Sequence, residues 1–189
     1  MNNELKFTGE RCIPEHMAGR IKTYQHHLNR YSFALMYVRK KVVLDAACGC
    51  GFGTNLFYDV ASFAFGVDNS QEAINYANYK YNGIFNVCDL DKDFPTRNFD
   101  IVVSFETIEH LNNPEFFIDN VKKHSNGFLF SVPIEDPNEF HKHVYTINDI
   151  QKLIEKHYNI IDWFSQRGLN ITKGINNKSK YLIGYATNN

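Results

Sequence analysis

Residues 42–54 read VVLDAACGCGFGT: a short apolar run, an acid near its end, then glycines at 49, 51 and 53. An apolar run of this length reads as a buried strand. Glycines after it permit positive φ and let the backbone approach a ligand closely. The helix that follows points its free N–H groups back at the loop. In doubly wound sheets ligands bind beyond the carboxyl ends of the strands, near the switch in strand order, where this loop would lie. Taken alone, the loop is either a tight turn or a ligand cradle. Asp45 tilts the choice toward the cradle, because an acid before the first glycine repels a pyrophosphate but suits a cationic ligand such as a sulfonium amino acid. The other reading of Asp45 is a cap on backbone groups in the turn.

Outward from this stretch the chain alternates between strands and helices. Residues 54–60 predict a helix and residues 62–67 a second strand. Ser70 caps a helix running to about Lys80, with Glu72 in its first turn. Residues 84–88 and 100–105 predict the third and fourth strands. Pro114 opens another helix as a first-turn residue, and residues 128–132 form a fifth strand. Residues 146–157 predict a helix, and residues 159–165 and 181–186 two final strands. Upstream, residues 23–39 carry Tyr24, Leu28, Tyr31, Leu35 and Val38 on one helical stripe, with Thr23 as the expected N-cap. The first twenty residues, with Gly9, Pro14 and Gly19, read as an arm. The expected fold is α/β, Rossmann-like and doubly wound: a mostly parallel seven-stranded sheet with an antiparallel edge hairpin and an N-terminal helical extension. The expected division is an arm and helix over residues 1–40, a candidate lid, and one domain over residues 41–189.

Composition narrows the function. The 189 residues are 43% hydrophobic, with a formal net charge of -1 and an isoelectric point near 6.7. That balance offers neither nucleic acid nor an anionic membrane an electrostatic footing. No run of about 18 apolar residues is present, so no membrane span is expected, and the N-terminus lacks the pattern of a secretory signal. Cys12, Cys48, Cys50 and Cys88 match neither a disulfide framework nor a C-x-x-C pair. A reduced, cytoplasmic protein is the simpler expectation.

Two further strands end in acids. Asp68 closes FGVD, where a carboxylate can accept both hydroxyls of a ribose, and Asn69 follows with a second polar side chain. Asp89 closes NVCD; it is either a turn residue or an acceptor for an adenine amino group, with Leu90 offering its backbone N–H.

These residues resemble the class I S-adenosylmethionine-dependent methyltransferases, over roughly residues 41–131. LDAACGCGFGT is similar to the family's glycine motif, FGVDNS supplies its ribose acid and NVCDL its adenine-side acid. The segment DIVVSFETIEHLNNPE (residues 100–115) is similar to the stretch after the family's fourth strand. The resemblance implies S-adenosylmethionine as cofactor, held by Asp45, Ala46, Gly49, Gly51, Gly53, Asp68, Asn69, Asp89, Leu90, Phe105 and Glu106. Cysteines at 48 and 50 depart from the commoner small or acidic residues. TGERCIPE (8–15), HHLNRYSFA (26–34) and NEFHKHVYT (138–146) look like segments of methyltransferases associated with surface-polysaccharide and other small-molecule biosynthesis.

Methyl transfer from a sulfonium is an in-line displacement, so the protein's main task is alignment and exclusion of water. A hydroxyl acceptor must also lose its proton, and histidine suits that role. The candidates are His110, His141 and His143, expected in loops at the carboxyl end of the sheet, with His26 and His27 on the first helix. Tyr24, Arg30 and Tyr31 are candidate substrate contacts; their other reading is helix packing. No acid adjoins His141 and His143 in sequence, so no metal is expected. The expected activity is O-methylation of a small molecule or sugar, with no nucleic-acid or membrane partner. The alternatives are a nicotinamide-dependent oxidoreductase, which would share Asp68, and a non-catalytic S-adenosylmethionine-binding subunit.

Overall fold

Neighbouring residues of β1 (Val42–Ala46) serve opposite faces of one sheet. Val43 packs with Ile101, Val103, Leu129 and Ile183 in one buried cluster. Leu44 packs with Val102, Phe128, Phe130 and Leu182 in another. This is the two-residue period of strands buried on both sides. The structure is a computed structural model that describes residues 5–8, 11–16 and 21–188. Gly9 and Gly19 of the expected arm lie outside the described residues, as does part of TGERCIPE.

The remaining strands are β2 (Phe63–Asp68), β3 (Ile84–Val87), β4 (Phe99–Phe105), β5 (Ser125–Pro133), β6 (Ile160–Arg167), β7 (Asn170–Lys173) and β8 (Tyr181–Thr187). They form one sheet in the order β3-β2-β1-β4-β5-β8-β6-β7. Strands β1 to β5 are mutually parallel. β8 runs antiparallel to both β5 and β6, and β7 pairs antiparallel with β6 at the edge.

Among the described residues the sheet therefore has eight strands where seven were expected. The additional strand is β7, whose NITK sequence shows no apolar alternation. β8 is inserted between β5 and β6, so the edge hairpin is β6–β7. Gly184 lets β8 into that slot, because a Cβ there would come within 2.3 Å of the Phe130 ring.

Helix α1 (Ile21–Val38) and α2 (Phe52–Tyr58) cover the Val43 face through Tyr31, Ala34, Val38 and Phe57. α4 (Pro114–His124) and α5 (Ile147–Glu155) cover the Leu44 face through Phe117, Ile118, Val121, Ile150 and Ile154. α3 (Gln71–Lys80) sets Ile74 and Ala77 against Cys48 and Phe85.

Ser70 caps α3 as expected, accepting the Ala73 N–H. Pro114 stands in the first turn of α4, behind an Asn113 cap. Thr146 and Asp149 close a capping box at α5. Thr23 is a correction: α1 is already helical at Ile21, so Thr23 lies inside it rather than capping it. Among the described residues, no helix is long and apolar enough to cross a membrane.

Candidate active site

The strand order turns back between β1 and β4, so their carboxyl ends have no covering crossover there. A cleft of about 450 Å³ opens at that point, within the size range of small-ligand sites. The loop after β1 builds its floor. Gly49 and Gly51 take left-handed φ of 56° and 86°. Ala47 does the same at 64°, and Glu106 after β4 at 53°. Such values are uncommon outside glycine and concentrate at functional sites.

The glycines differ in purpose. A Cβ at Gly49 would meet nothing within 4 Å, and Gly49 lines the cleft. A Cβ at Gly51 would come within 2.7 Å of Ala77 and 2.8 Å of Phe85, and one at Gly53 within 2.0 Å of the Tyr31 ring. Gly51 and Gly53 thus let α3 and α1 close on the loop, and neither lines the cleft.

Asp45 also lies beneath the cleft rather than in it. It is fully buried and accepts hydrogen bonds from Thr54 Oγ1 at 2.6 Å and Tyr31 Oη at 3.2 Å. Burial pushes its carboxyl up to about 7, against the pull of those two hydroxyls. Asp68 stands in the cleft. Its two oxygens accept the N–H groups of Gly49 and Ser70, each at 2.9 Å. Burial nevertheless pushes its pKa up from the ordinary carboxylate value. Asn69, Asp89 and Leu90 line the same wall. Asp89 accepts from Lys92 Nζ at 2.6 Å, which holds its carboxyl below the ordinary value.

At the opposite end, Phe105 and Glu106 line the cleft beside His27, His110 and His141. The Arg30 guanidinium bonds Glu106 and donates to Gln166 Oε1 at 2.7 Å. It lies 4.3 Å from the centre of the Tyr181 ring. His27 Nε2 sits 3.3 Å from the same Glu106 oxygen. Burial, with Arg30 close by, holds the His27 imidazole well below its ordinary pKa.

A family model described as a methyltransferase domain matches residues 44–130. A probable S-adenosylmethionine-dependent methyltransferase of Mycolicibacterium smegmatis is 30% identical over 136 residues, covering 68% of this chain and 52% of the relative. The chain belongs to the class I S-adenosylmethionine-dependent methyltransferases. It spans about half the length of the curated relatives it matches. Two solved structures share the fold. An S-adenosylmethionine-dependent methyltransferase from Clostridium acetobutylicum has a TM-score of 0.73 at 14% identity, covering 92% of this chain and 96% of that one. A magnesium protoporphyrin IX methyltransferase from Synechocystis with bound S-adenosylhomocysteine has 0.64 at 13%, covering 88% and 84%.

Against the site expected for a methyltransferase of this class, the structure sorts the residues in two. Tyr31, Gly49, Asp68, Asn69, Asp89, Leu90, Phe105, Glu106, His110 and His141 come together around one cleft. Asp45, Ala46, Gly51, Gly53, Tyr24, Arg30 and His143 do not line it. Ala46 is fully buried, its carbonyl accepting from Ser104 Oγ at 3.0 Å. Tyr24 packs its ring edge-on to Phe52, and His143 Nε2 lies 3.0 Å from the Leu111 carbonyl.

Several cleft residues escaped the sequence reading. Arg11 bonds Ser70 Oγ at 2.9 Å and Glu72 at 3.2 Å, tying the arm to α3. Thr107, Phe140 and Lys142 line the cleft from the loops after β4 and β5. Arg11 falls inside the quoted TGERC stretch, which was the one signal available for it.

Proposed function

We propose that this protein transfers the methyl group of S-adenosylmethionine to an oxygen of a small hydroxylated molecule such as a sugar, releasing S-adenosylhomocysteine. The reading is carried by one observation: the strand-end acid Asp68 and the imidazoles of His27, His110 and His141 line a single cleft. The residues fit the cofactor. The space a Cβ would take at Gly49 is open, and Asp68 keeps lone pairs for a ribose after accepting two N–H groups. Asp89 and Leu90 stand where the adenine edge would lie. Glu106, fixed by Arg30 and His27, faces the methionine end.

When bound, the sulfonium supplies the activated methyl group. The chain supplies alignment, exclusion of water and a route for the acceptor's proton. Asp45 acts through Thr54 and Tyr31, holding α2 and α1 under the loop. Residues 1–40 act as a cover, a reading supported by the Arg11 tie to Ser70 and Glu72.

A nicotinamide-dependent oxidoreductase would share Asp68, but the G-x-G-x-G spacing and the family speak against it. A non-catalytic cofactor-binding subunit is the other alternative. Calorimetry with both cofactors, followed by S-adenosylhomocysteine release over a panel of hydroxylated acceptors, tests all three. Tight NAD binding without S-adenosylmethionine binding would overturn the proposal. Cofactor binding without turnover on any acceptor would favour the subunit.

A further inference from the structure

Glu109, His110 and His141 each offer one ligand atom, and the three atoms lie within 4.8 Å of one another. We propose that these side chains bind one divalent transition-metal cation at the acceptor end of the cleft, where the cation holds two neighbouring oxygens of the acceptor. The second half of this statement rests on the methyl-transfer reading above; the cation site does not.

One carboxylate and two imidazoles are a donor set suited to zinc, manganese, iron or cobalt. The ring orientations favour ligation through Nε2. His110 Nδ1 lies 3.1 Å from the Phe140 carbonyl and His141 Nδ1 2.6 Å from the Asp136 carbonyl. A carbonyl accepting from Nδ1–H leaves the Nε2 lone pair for a metal, the arrangement that fixes most metal-ligating histidines. Asn138 Nδ2 lies 3.0 Å from His141 Nε2 and gives way to the cation.

Backbone bonds hold the two loops together. The Glu109 carbonyl accepts the N–H groups of Lys142 at 2.9 Å and His143 at 3.1 Å, which keeps His141 against the 3-10 turn Ile108–His110. The Glu109 side chain is 1% exposed, and a buried carboxylate is strongly favoured by a cation beside it. The neighbouring ammonium of Lys142 is turned to Asp91, at 3.7 Å. Metal–ligand bonds of about 2.0–2.2 Å put ligand atoms about 3–3.5 Å apart, so binding needs a closure of up to about 1–2 Å.

His110 and His141 line the cleft, so coordination positions not filled by protein face the acceptor. A vicinal diol offers two oxygens at chelating distance. A hydroxyl on the cation gives up its proton more readily. Its oxygen then forms the new C–O bond as the C–S bond breaks, the electron pair passing to sulfur. The proton ends in solvent, and no group changes oxidation state.

The test is titration of the purified chain with Mn²⁺, followed by electron paramagnetic resonance, and with Co²⁺, followed by visible absorption. The expected result is one saturable site, weakened at least tenfold in His141→Ala and in Glu109→Gln. His141 sits in a half-exposed loop, so its variant keeps the far-ultraviolet circular dichroism of the parent and decides the matter if Glu109→Gln fails to fold. No saturable binding, or unchanged binding in His141→Ala, overturns the site. S-adenosylmethionine calorimetry on the same samples separates the two readings: metal without cofactor sinks the methyl-transfer reading, cofactor without metal sinks this one. For the acceptor role, turnover of a vicinal diol should fall at least tenfold on chelation and on removal of one hydroxyl. Turnover indifferent to a chelator overturns that role.

Discussion

The Thr54 hydroxyl donates to the Asp45 carboxylate at 2.6 Å, across the glycine loop that joins β1 to α2. The bond ties the end of a strand to the first turn of the next helix, with Tyr31 bonding the other carboxylate oxygen from α1. Because Asp45 is fully buried, its carboxyl is pushed up to about 7. A raised folded-state value means that the native chain binds the proton more tightly than the unfolded chain. Stability from this group is therefore full below the unfolded value near 4 and declines as pH rises through about 7. Asp45→Asn removes the charge and keeps an acceptor. Its stability relative to the parent should improve steadily between pH 5 and pH 8 in thermal melts. A difference that does not change with pH would refute the assignment. Asp45→Ala leaves two buried hydroxyls without their acceptor and should cost about 1–3 kcal/mol.

Gly49 and Gly53 separate binding from folding. Gly53→Ala drives a Cβ into the Tyr31 ring, which is held by Asp45, Phe52, Phe57 and Phe105. Overpacking of this kind costs about 1–3 kcal/mol and shows in denaturant melts. Gly49→Ala meets no protein atom and bears only the left-handed strain, roughly 1 kcal/mol. Its larger effect should be on cofactor affinity, a tenfold or greater loss by calorimetry.

Asp68→Ala should weaken S-adenosylmethionine binding by about 1–3 kcal/mol, the scale for a lost charged acceptor. The Gly49 and Ser70 N–H groups lose their partner at the same time. Unchanged affinity would mean that the ribose lies elsewhere.

Arg30 is fully buried between Glu106, Gln166 and the Tyr181 ring. Arg30→Met leaves Glu106 without its guanidinium, and breaking one side of a buried pair costs about 3–5 kcal/mol. Urea unfolding measures the loss. A variant as stable as the parent would show that the pair contributes only position.

The alternation of strands and helices, the cap at Ser70 and the first-turn Pro114 were legible in the sequence, because each depends on residues near one another in the chain. What was not legible depends on distant partners. Gly51 and Gly53 stood out by spacing, yet the reason for them is Phe85, Ala77 and Tyr31 pressing from other elements. Arg30 read as a substrate contact because nothing local announces Gln166 or Tyr181 as its partners. Asp45 read as a ligand contact because the sequence does not tell a strand end below the floor from one in the cleft. Ala47 and Glu106 carry left-handed backbone that their residue types do not signal. Glu109 was overlooked beside His141 because only the fold brings the two loops together.

The place of β8 bears on how the chain is made. It is the last strand in chain order but lies between β5 and β6, so on the ribosome both neighbours wait with an open edge until residues 181–187 emerge. Unpaired edges are templates for association with other chains. A released chain truncated before Tyr181 should enter the insoluble fraction, whereas one that extends through Thr187 should not, as sedimentation of the two would read directly. The sheet is completed from the inside, by a strand that follows both of its neighbours in the chain.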